Sequence, residues 1–206
     1  MAERLTRRER EWLRHRQEIL DVALVLFSEN GFSSVTMQHI TERSEFSIGT
    51  LYNLFASKED LYQTLIRELT KEFHQSILRA IDSGDDEVEK LRNYVRVKGT
   101  VFRDNLAVIR LYYRETSGLG FDIKAGLDDE IRTQYAQFMN ILAKIFEDGI
   151  RKKKFRKIAD PHLLATAVDS FTNAVLLGCL EDPDRRPYPE DPDILLSILF
   201  KGLLES

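Results

Sequence analysis

A single cysteine in 206 residues excludes an internal disulfide. Cys179 sits in an apolar helical pattern, where a buried structural thiol is expected. The 5 prolines and 10 glycines fall mostly between helical patterns, and no sustained apolar/polar alternation marks a strand. No apolar run approaches the ~20 residues that a membrane span needs, and the first residues are dense in charge. Neither a transmembrane segment nor a signal peptide is expected, which makes the expected location cytoplasmic. An excess of one charge sign is lacking too: 30 Lys+Arg stand against 34 Asp+Glu, a net −4. Bulk charge therefore argues neither for nor against a nucleic-acid partner.

The chemistry of catalysis is equally sparse. The four histidines, His15, His39, His74 and His162, share no i, i+3 or i, i+4 spacing and have no cysteine beside them, so no metal site follows. There is no nucleophile elbow and no phosphate-cradling glycine loop, and Gly118-Leu119-Gly120 lacks the strand and helix that a dinucleotide fingerprint requires. The expectation is a protein that is not an enzyme and uses no cofactor.

What is present is helix. With 43% hydrophobic residues and a length suited to one small and one medium domain, the chain reads as all-α. Trp12, Ile19, Ala23, Leu26 and Phe27 lie near one face of a first helix, which Asn30-Gly31 ends. Thr36 caps a second helix carrying Met37 and Ile40, Ser44-Glu45-Phe46 breaks the pattern with Phe46 as an apolar plug, and Ser47 caps a third helix with Leu51 and Phe55 at i, i+4. A further helix opens at Ser57-Lys58-Glu59-Asp60 with a capping-box variant. Two short helices around a tight turn are the pattern of a helix-turn-helix DNA reader.

The stretch ILDVALVLFSENGFSSVTMQHITERSEFSIGTLYNLFASKEDLY, Ile19 to Tyr62, resembles the N-terminal domain of TetR/AcrR-type transcriptional regulators. The resemblance covers about a fifth of the chain and includes the Gly-Thr-Leu-Tyr core and the Phe-x-x-Lys-Glu-Asp-Leu run. Glu45 stands where the family usually has glycine, which costs ~1 kcal/mol if φ is positive there. The resemblance implies a reader at residues 1–56, with DNA contacts at Thr36, Gln38, Ser47, Ile48, Gly49, Thr50, Tyr52, Asn53 and Lys58. Tyr52 and Lys58 would hold phosphates, Gln38, Thr50 and Asn53 would reach base edges, and Ile48 could read only a thymine methyl. Ahead of it, Arg4, Arg7, Arg8 and Arg10 form either an arm along the phosphates or a solvated terminus, and Arg14 and Arg16 read as helix surface.

Residues 57–206 read as amphipathic helices. One runs from Leu61 to Asp82, and others span Asp86 to Phe102, Leu106 to Tyr113, and Ile131 to a basic run at Arg151–Lys157. The basic run is read as a complement to the helix dipole rather than a nucleic-acid patch. The last two helices, Pro161 to Leu180 and Pro192 to Leu204, each open with Asp-Pro and are apolar nearly all round. By resemblance they form a four-helix dimer interface, with Val168, Val175, Leu195, Ile198, Leu199 and Leu203 at the contact. The resemblance also implies an effector pocket in this domain. Phe102, Tyr112, Tyr113, Tyr135, Phe138 and Phe171 would border it, and the isolated polar groups Glu115, Asp169 and Asn173 would orient a small, largely hydrophobic effector. The function implied is a homodimeric, ligand-responsive repressor on a pseudo-palindromic operator. The alternative is a helical ligand-binding or interaction protein that no longer binds DNA.

Overall fold

The computed structural model describes residues 5–106, 109, 129–182 and 185–201, and these are helical with no strand among them. All of the predicted helix at Leu106–Tyr113 except Leu106 and Ile109, and residues Arg4, Glu115 and Leu203, lie outside the described residues. Contacts divide the chain into two compact units whose boundary falls inside one helix, between Leu69 and Thr70.

In the first unit, α1 (Arg7–Asn30) starts at Thr6, whose hydroxyl accepts from the Glu9 amide while the Glu9 carboxylate returns to the Thr6 amide. The helix thus begins within the arginine-rich segment, and Arg7 onward is helix rather than arm. Its buried stripe is Ile19, Leu20, Ala23 and Phe27. Trp12, placed on that stripe by the sequence pattern, is 48% exposed, because no buried residue of α1 precedes Ile19. Gly31 ends the helix at φ 79, a backbone that a side chain would strain.

Helices α2 (Met37–Ser44) and α3 (Ile48–Leu54) follow, and α4 (Lys58–Asp82) leads out. Glu45 adopts φ 60, ψ 16, so the turn between α2 and α3 is left-handed without a glycine. Phe46 plugs the turn, its ring 4.9 Å from that of His15 on α1. At the head of α4, Ser57 accepts from the Asp60 amide (3.1 Å), and Asp60 accepts from the Ala56 amide (2.8 Å) rather than from that of Ser57. Ile40, Leu51, Phe55, Leu61 and Leu65 close one core with the α1 stripe. Arg16 pairs with Glu68 and lies over the Phe55 ring, tying α1 to α4 and to the end of α3.

The second unit holds the rest of α4, α5 (Glu87–Asp104), α6 (Asp129–Arg151), α7 (Pro161–Glu181) and α8 (Pro192–Phe200). Asp160 and Asp191 cap the last two, each before a first-turn proline, as their Asp-Pro pairs predict. Helix α5 packs against α6, α7 and α8, and α6 packs along α7. Gly99 makes room for Tyr188: a Cβ there would stand 2.2 Å from the ring, whose hydroxyl donates to the Val95 carbonyl at 2.9 Å.

Two expectations change in this unit. The run Arg151–Lys157 does more than face a dipole: α6 stops at Arg151, and Lys152 and Lys154 reach Glu87 (2.6 Å) and Asp86 (2.5 Å) at the start of α5. Helix α7, at 21 residues, is long and apolar enough to cross a membrane by length and composition. Its interior nevertheless carries Asp169 and Thr172, both buried and both hydrogen-bonded to Lys98 of α5. A core helix explains that pairing directly.

Candidate functional site

The candidate reading face is built from α2, the turn and α3. Thr36 accepts from the His39 amide at 3.2 Å and donates its own amide to His39 Nδ1 at 3.4 Å, so its hydroxyl caps α2. Ser47 accepts from the Thr50 amide (3.1 Å), and the two hydroxyls lie 2.9 Å apart. Gln38, Ile48, Gly49, Tyr52 and Asn53 are exposed, and the side chains of Gln38, Tyr52 and Asn53 make no hydrogen bond within the described residues. Leu51 alone of α3 is fully buried and anchors the helix. A Cβ at Gly49 would meet only Ser47 Oγ, at 3.7 Å, so the fold has room for a side chain there.

Lys58 is placed differently from the rest. Its ammonium donates to the Phe32 and Val35 carbonyls, both at 2.9 Å, and sits 4.3 Å from the centre of the Phe32 ring. Two of its three donors therefore hold the loop between α1 and α2, leaving one for a phosphate.

The residues expected around an effector part into two groups. Phe102 and Phe138 are buried, whereas Tyr135, Phe171 and Asn173 are half-buried. Asp169, 3% exposed, takes hydrogen bonds from Lys98 (2.6 Å), Tyr94 (2.7 Å), Tyr135 (2.7 Å) and Asn173 (3.1 Å). The polar groups of Asp169 and Asn173, which the sequence reading requires to find a partner in protein or ligand, have protein partners here. Burial opposes charge on Asp169, yet the Lys98 charge and these donors hold its carboxyl below the usual carboxylate range. Burial pulls Lys98 below the usual lysine value against the attraction of Asp169. Burial and the neighbouring carboxylate push the Tyr94 and Tyr135 hydroxyls up, so both remain donors.

The sequence reading missed Lys98 and Tyr94. Leu91, Tyr94, Val95, Lys98 and Phe102 share one helical face, and a lysine in that row was the available signal. Beside this cluster, an open groove of about 170 Å³ runs between α4 and α6, lined by Lys71, His74, Gln75, Leu78, Gln134, Gln137, Phe138 and Ile141. Burial lowers the His74 pKa, partly offset by a Gln134 hydrogen bond and the Asp169 charge.

Of the dimer residues, Val168 and Leu195 are at 0% and 2% exposure inside one protomer, so they are core rather than contact. Val175 and Leu199 are half-buried, and Ile198 is 55% exposed. The outward apolar groups of these helices are Leu163, Ile194 and Ile198.

Residues 19–65 match the family described as "Bacterial regulatory proteins, tetR family". The first domain belongs to the tetR family. The chain is also similar, at 29% identity over 92% of its length and 80% of the relative's, to the HTH-type transcriptional regulator HbdR of Aromatoleum sp. (strain CIB). It is 25% identical to the HTH-type transcriptional repressor DhaR of Mycobacterium sp. (strain GP1), over 93% of each chain. The crystal structure of the transcriptional regulator FadR from Bacillus subtilis in complex with stearoyl-CoA shares the fold at 19% identity, with a TM-score of 0.70 over 91% of this chain and 99% of that one. HbdR and DhaR are transcriptional regulators by name, and the helical fold is shared with the FadR structure.

Proposed function

We propose that this tetR-family protein is a homodimeric, ligand-responsive repressor whose residues 1–56 read a pseudo-palindromic operator and whose residues 57–206 sense a small, largely hydrophobic effector. The observation that carries the reading half is the exposed set Gln38 on α2 and Tyr52 and Asn53 in the second half of α3, whose side chains make no hydrogen bond among the described residues and which stand on helices anchored in a packed core. Thr36, Ser47 and Thr50 frame it with hydroxyls, and Ile48 adds an apolar group beside it. Gly49 supports the same reading, because the fold has room for a side chain and close approach of a DNA backbone would not. The dimer half is supported by Leu163, Ile194 and Ile198, apolar groups left in solvent on the last two helices. Half-buried Val175 and Leu199 lie on the same two helices, and Leu203 continues the sequence pattern.

For the effector, the groove on α4 and α6 mixes Leu78, Phe138 and Ile141 with Lys71 and glutamines, a lining suited to an apolar chain with a polar head. Stearoyl-CoA in the FadR structure has that chemistry. Tyr112, Tyr113 and Glu115 remain proposed members of the pocket beside Phe102 and Tyr135. Effector binding would shift a two-state spacing of the two readers, with a coupling of ~1–3 kcal/mol. The expected location is cytoplasmic.

The test is a gel shift on the chain's own upstream region, with Gly49→Ala and Asn53→Ala beside the wild type. Gly49→Ala should stabilise the fold by roughly 0.5–1 kcal/mol while weakening binding, since glycine inside a helix is unfavourable. Asn53→Ala should relax preference at one base position. A wild type that binds no duplex would leave the helical ligand-binding alternative; Gly49→Ala binding as tightly as wild type would remove the close approach.

A further inference from the structure

The proposed reading face is short of positive charge. Affinity for duplex DNA comes largely from cations that neutralise phosphates, yet among its nine residues only Lys58 is cationic, and two of its donors are bound to backbone. The missing charge lies on the first three turns of α1. Residues 7–18 hold Arg7, Arg8, Arg10, Arg14 and Arg16 and contain no buried residue, and before His15 every residue of the helix is exposed, so residues 7–14 add nothing to the core. Its acids are occupied: Glu11 pairs with Arg7, Glu18 pairs with Arg14, and Glu9 is folded back on Thr6. Arg8 and Arg10 have no partner among the described residues. Extended toward the N-terminus, the stripe that buries Ile19 and Ala23 becomes an uncovered face with Leu5, Trp12 and Leu13 at 51%, 48% and 43% exposure.

The position of this overhang decides its occupant. His15 packs on Phe46, the residue before the Ser47 cap of α3, so the extension leaves the domain beside the N-terminus of the proposed recognition helix. From His15 to Arg7 an α-helix rises ~12 Å, about three to four base pairs of duplex. Resting on the DNA-reading assignment, we propose that the α1 extension is a second, sequence-independent DNA contact. Arg8 and Arg10 neutralise phosphates flanking each half-site, and Trp12 covers the adjacent sugar edge. An anionic lipid surface or a second copy could also cover Leu5 and Trp12, but neither accounts for the placement of this segment beside the N-terminus of the proposed recognition helix.

Trp12 is the chain's one tryptophan, so its emission reports on this surface alone. The experiment uses the full-length protein, an operator duplex selected from a random pool, and a random-sequence duplex of equal length. Arg8→Gln/Arg10→Gln should reduce the slope of log K against log salt by about 1–2 units on both duplexes and leave base preference unchanged. With a change of 1.8 units, wild type loses about 12-fold more affinity than the variant between about 50 and 200 mM salt. Trp12 emission should shift as either duplex saturates. Wild-type binding with an unchanged slope in the variant would overturn the inference and leave the reader intact. So would Trp12 emission that responds to phosphatidylserine vesicles and not to DNA, or a Trp12→Ser variant of lower sedimentation coefficient, which would mark self-association. A wild type that binds neither duplex would remove the DNA reading itself.

Discussion

Asp169 and Lys98 form a buried ion pair at 2.6 Å, and its energetics are asymmetric. Removing one partner strands a desolvated charge, whereas replacing both by apolar groups is often neutral. Asp169→Ala should therefore cost about 3–5 kcal/mol, and adding Lys98→Met should recover a large part of it, with the rest lost through the Tyr94 and Tyr135 hydroxyls. Urea midpoints of the single and double variants check this; a double variant no better than Asp169→Ala would refute the stranded-charge account. At this scale the sequence was half legible. Asp169 stood out because an acid on an apolar helix demands a partner, but the identity of that partner depends on α5 and α7 meeting, 71 residues apart. The same distinction explains Lys58: a lysine at a helix start looks free until the Phe32 and Val35 carbonyls are seen to hold it.

Helix ends were the most legible elements, because capping is local. Thr36, Ser47, Asp160 and Asp191 each accept from amides within the next three residues, and Glu45 takes the left-handed turn its position demands. The strap from the end of α6 to the start of α5 was not legible, since Lys154 and Asp86 are 68 residues apart. It carries a pH signature. The Lys154 hydrogen bond and the Glu89 amide hold the Asp86 carboxyl at about 2, against an ordinary 3.8. A depressed acid contributes stability that is complete above its unfolded pKa and lost as pH falls through the folded one. Wild type should accordingly lose an increment of stability between pH about 4 and about 2 that Asp86→Asn lacks. Denaturation curves across that range check it, and parallel acid limbs for the two proteins would show that Asp86 contributes nothing. Trp12 is the instructive miss in this class: helical spacing put it on the core stripe, but periodicity cannot tell where along a helix the packing stops.

For the whole molecule, the distribution of exposure predicts how assembly and folding separate. Ile198 is 55% exposed and Leu195 only 2% exposed, three residues apart on α8. Ile198→Glu should give a folded monomer with unchanged helicity by sedimentation and circular dichroism, since surface changes usually alter protomer stability by less than ~0.5 kcal/mol. Leu195→Glu should unfold the protomer by burying an unpaired charge. A dimeric Ile198→Glu protein would move the interface elsewhere. The all-α class and the order of helices were legible because amphipathic periods repeat over many residues. The expected dimer face was only partly so: Val168 and Leu195 are as apolar as Ile198, and composition alone cannot tell an inner wall from an outer one. The reader repeats that separation on a smaller scale. Leu51 anchors α3 in the core, while Gly49, Tyr52 and Asn53 of that helix and Gln38 of α2 bear no part of it. Mutations at those four positions can accumulate with little loss of fold, so, on the proposed function, descendants of this gene would acquire new genomic addresses in single steps while inheriting the same effector domain.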